Sequence, residues 1–249
     1  AAELRRLSPA ECVTPAGQEE PFDLPGFRTA RDVWHFHPEA TRDHLARHFR
    51  VAALDAFGCA DAPLATASAG ALLAYVAQTN PRLVPLFTGL RRYHADGFLQ
   101  LDGPTRRNLN LTSGPRGSHD GTLLGVLDVT KTAMGARLLR RWIGQPLTDR
   151  GAIRRRQEIV SALVANDELR GDLRLLLDRV LDVERIVGRC RSGAASPRDL
   201  WSLHASLDVA RAIRCPETVE APAALRTLLG DVDACAGAFT SRASTIAPA

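Results

Sequence analysis

The chain has 249 residues, of which 45% are hydrophobic and 24% are charged, a balance typical of globular proteins that excludes disordered and collagen-like chains. All apolar runs fall short of the roughly 20 residues needed to span a bilayer, and the amino terminus lacks the apolar segment of a secretory signal. We therefore expect a cytoplasmic protein. The chain begins with Ala1 rather than Met, so we also expect an excerpt of a longer polypeptide.

Positive charge is concentrated in one stretch of the chain. The formal net charge is +4, and Lys131 is the only lysine among 32 basic residues. Residues 101–150 hold 8 basic and 4 acidic residues, whereas the remaining segments are nearly balanced. This excess is compatible with a weak nucleic-acid-binding surface or with solvated helix faces.

Residue types that build catalytic or metal sites do not occur in the required patterns. The five cysteines are odd in number and include no C-x-x-C pair, which argues against a disulfide framework or a zinc ribbon. His44 and His48 would share a helix face and could supply two metal ligands, but no third ligand lies at a motif spacing. P-loop, G-x-S-x-G and H-E-x-x-H motifs are absent. We therefore predict no catalytic, cofactor-binding or metal-binding residues and no enzyme activity for this chain.

The first hundred residues predict a mixture of short elements. Pro38 is a suitable first residue for a helix that ends near Arg50. The apolar residues between Ala67 and Gln78 predict a second helix, which Asn80-Pro81 ends. The runs 86–93 and 98–101 flank an Asp-Gly pair, which predicts a hairpin or a pair of strands.

After Asp102 the apolar positions follow a helical period. Ser196-Pro197-Arg198-Asp199 combines a capping hydroxyl, a proline at the first helical position and an acidic residue at the third, and so predicts a helix from there to about Arg214. Met134, Leu138, Leu139 and Trp142 recur at helical spacing and are predicted core residues. Further helices are predicted near 123–127, 134–143, 153–164, 166–177, 181–190 and 221–239.

Several motifs follow one another in a fixed order along the second half of the chain. They are L-D-G-P-T-R-R-N-L from Leu101, L-D-x-T-x-T-x-M-G-x-R-L-L-R-R-W from Leu127, Q-P-L from Gln145, D-V-E-R from Asp182 and P-R-D-L from Pro197. In order and spacing they resemble the core, or lever, domain of the MutS family of DNA mismatch-repair proteins. A weaker similarity before residue 100, including Phe57-Gly58 and residues 69–75, resembles the carboxy-terminal part of that family's connector domain. Gly103-Pro104 departs from the usual pair of alanines and predicts a shortened or delayed helix.

The resemblance implies a mainly α protein. Residues 1–92 would form part of a small α/β connector domain of RNase H-like fold, and residues 93–249 the first segment of a lever-like helical core domain. The chain would be a structural and allosteric transmission segment that couples the ATPase to the DNA-binding domains of a mismatch-recognising protein.

The same resemblance implies which functions lie elsewhere. The mismatch-reading, clamp and ATPase elements would lie outside this chain, and ATP and Mg would belong to the full-length protein. Mismatched duplex DNA would be contacted through flanking domains, a MutL-type partner through the connector, and a second MutS subunit in the full-length, nucleoid-associated bacterial protein.

The polar residues of the matching motifs are the candidate functional residues. Asp128, Thr130 and Thr132 are predicted to form a junction between two helices. The alternative function is a stand-alone Arg-rich module that binds nucleic acid or docks a protein partner. The interdomain or DNA-proximal candidates are Arg106, Arg107, Asn108, Arg137, Arg140 and Arg141.

Overall fold

A computed structural model describes residues 2–18, 23–59, 61–92, 97–114, 118–214, 216 and 221–232. The chain separates into a first unit, Ala1–Asp96 with Gln100–Thr105, and a helical unit, Gly97–Leu99 with Arg106–Ala249. The predicted domain boundary between residues 92 and 93 stays a prediction. None of the described helices is long and apolar enough to cross a membrane.

The first unit combines a small parallel sheet with helices. Strand β1 pairs with β2 in parallel, with Glu11 opposite Phe27 and Pro15 opposite Arg31. The elements are α1 (Ala2–Leu7), β1 (Glu11–Pro15), β2 (Phe27–Arg31), α2 (Pro38–Phe49) and α3 (Pro63–Thr79), with 3-10 turns at Val33–Phe36, Leu54–Phe57 and Pro81–Leu86. A mainly helical fold that begins with a small α/β part is therefore confirmed.

Local sequence accounts for the two helices of the first unit. Helix α2 begins at Pro38 and is followed by Arg50 in the left-handed conformation, with φ of 55°. Helix α3 begins at Pro63, four residues before the predicted start at Ala67, because this proline occupies the first helical position at no cost in hydrogen bonds. The core beneath both helices contains Leu45, Leu54, Cys59 and Leu73, with Phe49, Phe57 and Val84 packed against it.

The predicted hairpin around Asp96 is wrong where the structure describes it. The 3-10 turn Pro81–Leu86 reaches only the first residue of the run 86–93, and the described residues 87–92 form no strand. Phe98 instead forms an isolated antiparallel bridge with Leu147, and Leu99 N donates to the carbonyl of Pro146 at 2.8 Å. The turn residues 93–96 lie outside the described residues.

The helical unit is built of α-helices. They are α4 (Gly103–Asn108), α5 (Leu123–Leu127), α6 (Ala133–Gly144), α7 (Arg150–Ala165), α8 (Asp167–Leu177), α9 (Val183–Arg191) and α10 (Pro197–Arg211), and residues 223–232 are also helical. Helix α4 belongs to this unit from Arg106 onward. Helix α4 is short, as Gly103-Pro104 predicts. Helix α10 ends at Arg211, three residues before the predicted end, and the predicted continuation of the last helix to 239 lies outside the described residues.

The core of the helical unit lies among its later helices. Its buried members are Leu169 and Leu173 from α8, Ile213 just after α10, and Leu225 and Leu229 from the helical residues 223–232. Partly buried residues pack against this apolar cluster: Ile159, Ala162, Leu163, Leu176, Leu177, Ala221 and Val232.

Candidate functional site

The candidate residues at the end of α4 differ in their exposure. Arg106 is half-buried, and a methyl group built on Gly144 would lie 3.6 Å from Arg106 Nη1. Arg107 and Asn108 are exposed. The Thr105 backbone amide donates to Asp102 Oδ1 at 2.8 Å, so the aspartate of the L-D motif holds the first turn of this short helix.

Arg137 on α6 binds two carboxylates at the start of α9. Its two terminal nitrogens donate to the two oxygens of Asp182 at 2.8 Å each, and Nη2 also donates to Glu184 Oε2 at 2.5 Å. These hydrogen bonds raise the pKa of Arg137, the one to Asp182 contributing most. The same bond lowers the pKa of Asp182 to about 2. A bidentate arginine–carboxylate pair of this kind fixes both position and orientation.

Asp182 has a second structural role at the start of α9. Its Oδ1 accepts from the backbone amide of Arg185 at 3.3 Å and thereby caps α9. Arg185 Nε also lies 3.4 Å from Asp182 Oδ2, an ion pair between residues three positions apart. Arg137 lies 45 residues from Asp182, and no local spacing rule could have found that contact.

Arg140 contacts a histidine from the segment before α5. His119 Nδ1 lies 3.0 Å from the carbonyl of Thr112, so Nδ1 is the donor, and Nε2 accepts from Arg140 Nη2 at 2.9 Å. His119 is thus a partner that the sequence reasoning missed. Arg141, the next residue on α6, is exposed.

The four residues predicted as core of α6 do not form a buried core. Trp142 is 39% exposed and Leu138 is 46% exposed, while Met134 and Leu139 are half-buried. Leu138 and Trp142 are four residues apart and share one side of the helix, and both side chains stay partly exposed there. Helical spacing identifies an apolar face but not whether another element covers it.

Trp142 also has a charged neighbour from the next helix. The guanidinium carbon of Arg156 on α7 lies 3.6 Å from the centre of the Trp142 ring, within the range of a cation–π interaction. Burial lowers the pKa of Arg156. Nothing in the residue spacing indicated this contact, which joins α6 to α7.

The predicted junction between helices has the expected form. Asp128 Oδ1 accepts from the Thr130 hydroxyl at 2.6 Å and from the Thr130 amide at 3.3 Å. Thr132 Oγ1 accepts from Gly135 N at 2.9 Å and caps α6. The motif thus ends α5 and starts α6 within a few residues.

The described residues contain no group of three or more His, Cys, Asp and Glu side chains that could hold a metal ion. His48 Nε2 donates to the carbonyl of Phe87 at 2.7 Å. This nitrogen of one of the two histidines considered as metal ligands is therefore already hydrogen-bonded. His44 Nε2 is buried without a hydrogen-bond partner in the described structure. Burial, followed by the charges of Arg47 and His48, lowers the pKa of His44.

Family models match both parts of the chain in order. MutS domain II matches residues 1–88, and MutS domain III matches residues 104–242. The chain belongs to the MutS family. This confirms the resemblance that the motifs from Leu101 to Leu200 indicated.

Individual MutS relatives are similar over most of the chain. A DNA mismatch repair protein MutS from Thermosynechococcus vestitus is 41% identical over 82% of this chain and 25% of its own length. The proteins of the same name from Synechococcus elongatus and Symbiobacterium thermophilum are 39% and 41% identical over 88% and 85% of the chain, and 26% and 25% of their own lengths. The chain thus spans about a quarter of the length of the curated MutS relatives it matches.

Proposed function

We propose that this chain serves DNA mismatch repair as a non-catalytic segment of a larger protein. It would carry movement between the parts that bind DNA and the part that hydrolyses ATP. The observation that supports this proposal most is the order of the two matches, MutS domain II followed by MutS domain III. The relatives named as DNA mismatch repair proteins support the biological process.

The packing of the helical unit supports the mechanical part of the proposal. Residues of α7, α8 and the helical residues 223–232, together with Ile213 just after α10, share one apolar cluster. Each large side chain buried there contributes about 1.5–3 kcal/mol, and packed cores resist continuous deformation. A displacement of one helix would therefore move its neighbours with it.

The same proposal assigns the ligands to other parts of the longer protein. Mismatched duplex DNA, ATP and Mg would be bound by other parts of the longer protein, which would act with a second subunit. Lys131 and Arg137 pair with carboxylates, which reduces the positive charge available for direct phosphate contacts within residues 101–150.

The isolated chain gives the first test. We expect it to hydrolyse no ATP and to bind matched and mismatched duplexes equally, with any affinity falling steeply as salt rises because only phosphates are contacted. ATPase assays and binding titrations over a salt series measure both properties. Selective binding of a mismatched duplex, or ATP hydrolysis by the chain alone, would contradict the proposal.

A chimera tests transmission directly. This segment would replace the corresponding part of the Thermosynechococcus MutS, and the effect of a mismatch on ATP hydrolysis would be measured. Leu173→Ala removes a side chain that is 9% exposed, at a cost of about 2–5 kcal/mol, and should weaken this effect. Leu175→Ala, two residues away on α8 and 71% exposed, is the matched control. Equal coupling in both variants would argue against transmission through the apolar cluster.

Docking of a protein partner is a second candidate function for the first unit. Leu64 and Leu72 on α3 are 81% and 49% exposed, and they lie two turns apart on the same side of the helix. This apolar stripe fits the contact surface expected for a MutL-type partner. Leu64→Glu should weaken binding of MutL in a pull-down, while Gln78→Glu, exposed near the end of α3, should not. Equal binding by both variants would argue against this surface.

A further inference from the structure

The start of α6 is attached to α8 and α9 by charged side chains. Arg137 binds Asp182 and Glu184, at 2.8 and 2.5 Å. Lys131 Nζ, in the turn before α6, lies 3.2 Å from Asp178 Oδ1 at the end of α8. Arg174 of α8 also donates to the carbonyl of Val129, in the turn before α6, at 3.2 Å. We call these four contacts the ionic joint.

The apolar cluster does not take part in this attachment. Within the part of the chain that the structure describes, its members come from residues 159–177 and 213–232, and none comes from α5 or α6. Leu138, next to Arg137, is 46% exposed. The start of α6, where Met134 is half-buried, thus lies outside the apolar cluster that holds α7, α8 and residues 223–232 together.

The other end of α6 is held differently. Trp142 stacks with Arg156 of α7, and Gln145, which follows the helix, is only 5% exposed. The Phe98–Leu147 bridge lies two residues further on. Helix α6 thus has an anchored carboxy-terminal end and an amino-terminal end attached through ion pairs.

Ionic and apolar contacts respond differently to salt. The side chains of Arg137 and Glu184 are 39% and 67% exposed, and those of Lys131 and Asp178 are 37% and 62% exposed. Ion pairs with this exposure are weak individually and are screened by salt. Apolar packing is not screened, and some salts strengthen it.

We propose that the amino-terminal end of α6, with the turn before it, opens as a separate part of the helical unit. The ionic joint keeps it closed; when the joint breaks, the first turns of α6 unwind while the end that carries Trp142 stays in place. Raising the salt concentration, or removing Arg137, opens this part while the apolar cluster stays folded. This is a conformational property of the chain itself, and it holds whether or not the chain transmits movement in mismatch repair.

Hydrogen exchange on the whole chain, read by mass spectrometry, tests the proposal. Salt would be raised from about 0.01 to about 1 M NaCl, which shortens the Debye length from roughly 30 to 3 Å. The amides of residues 137–141 should exchange about fivefold faster at high salt. The amides of residues 171–177 in α8 should change by less than about twofold, because the apolar cluster protects them.

Variants separate the ionic joint from general destabilisation. Arg137→Gln should speed exchange of residues 137–141 at low salt and reduce its salt dependence, since the Lys131–Asp178 pair remains. Arg141→Gln, exposed on the same helix, should behave as the wild type. If Arg137→Gln does not fold, Glu184→Gln is the second variant. It removes one carboxylate of the ionic joint and leaves Asp182 to cap α9. Exchange of residues 137–141 should again be faster at low salt, by a smaller factor.

Two results would overturn the proposal. One is faster exchange of α6 and α8 together at high salt, which would mean that the helices open as one body. The other is an exchange rate of residues 137–141 in Arg137→Gln that equals the rate in Arg141→Gln. If Glu184→Gln is used instead, the same comparison applies to it.

Discussion

Gly70 allows α2 and α3 to approach closely. A Cβ atom at this position would lie 2.5 Å from Thr41 Cβ and 2.9 Å from Thr41 Cα, closer than atoms can pack. We predict that Gly70→Ala lowers the free energy of unfolding of the first unit by about 1–3 kcal/mol, because the helices must separate to fit the methyl group. Urea denaturation followed by circular dichroism measures this change.

Gly171 provides the matched control for that substitution. It also lies within a helix, but a Cβ atom built on it meets nothing within 4 Å. Gly171→Ala should therefore raise the stability of the helical unit by up to about 1 kcal/mol through helix propensity alone. A loss of stability in both variants would show that close approach is not what Gly70 provides.

His44 makes the stability of the first unit depend on pH. Its pKa is lowered from 6.5 by burial first, and then by Arg47 and His48, so the folded state binds a proton less readily than the unfolded state. Its full contribution to stability is present above pH 6.5 and is lost as the pH falls from there towards the lower pKa of the folded state.

The corresponding experiment compares urea midpoints at about pH 7.5 and about pH 5, on either side of the usual histidine range. His44→Gln should reduce the loss of stability at the lower pH. His37→Gln, at an exposed histidine before α2, should leave it unchanged. An undiminished loss in His44→Gln would assign the pH dependence to other groups.

At the scale of elements, helix starts are the best example of local control. Ser196 Oγ accepts from Asp199 N at 3.2 Å, and Asp199 Oδ2 accepts from Ser196 N at 2.9 Å, which is the capping box that the sequence predicts. Asp199 Oδ1 also accepts from Arg189 of α9 at 2.5 Å, and this ion pair holds the pKa of Asp199 well below its usual range. One carboxylate thus starts α10 and joins it to α9.

We predict that Ser196→Ala lowers the stability of the helical unit by about 0.5–2 kcal/mol, because an amide at the start of α10 loses its acceptor. Thermal or urea unfolding measures the change. Ser161→Ala, at an exposed serine of α7, should stay within about 0.5 kcal/mol of the wild type. Similar effects of both substitutions would mean that the cap adds nothing beyond the loss of a serine.

The short elements on both sides of Asp96 were harder to predict than the helices. The apolar runs on both sides of Asp96 suggested a hairpin, yet Phe98 pairs with Leu147, 49 residues later. A strand needs a partner, and the choice of partner depends on which segments meet in three dimensions. The helix caps were predicted correctly because the donor of each cap lies only three residues from its acceptor.

At the scale of the whole molecule, the two units have separate apolar cores. Leu73 belongs to the core of the first unit and Leu173 to the apolar cluster of the helical unit, with exposures of 5% and 9%. We predict that Leu73→Ala and Leu173→Ala each cost about 2–5 kcal/mol. Because the cores share no residue, each substitution should destabilise only its own unit.

Hydrogen exchange of the full chain distinguishes the two effects. Leu73→Ala should lower protection in α2 and α3 and leave α8 unchanged, and Leu173→Ala should do the reverse. Loss of protection throughout the chain in either variant would show that the units unfold as one cooperative body.

The sequence alone determined the helical character of the second half, its helix caps and the membership of the MutS family, because these depend on local spacing and on ordered motifs such as D-V-E-R. Only the tertiary structure decided that Arg137 binds Asp182, that Arg140 binds His119, and that Leu138 and Trp142 remain exposed. Each of these contacts joins residues far apart in the chain, or depends on which helix covers which face. Residue spacing carries no information about either, since the energy of such contacts arises only when the helices have packed.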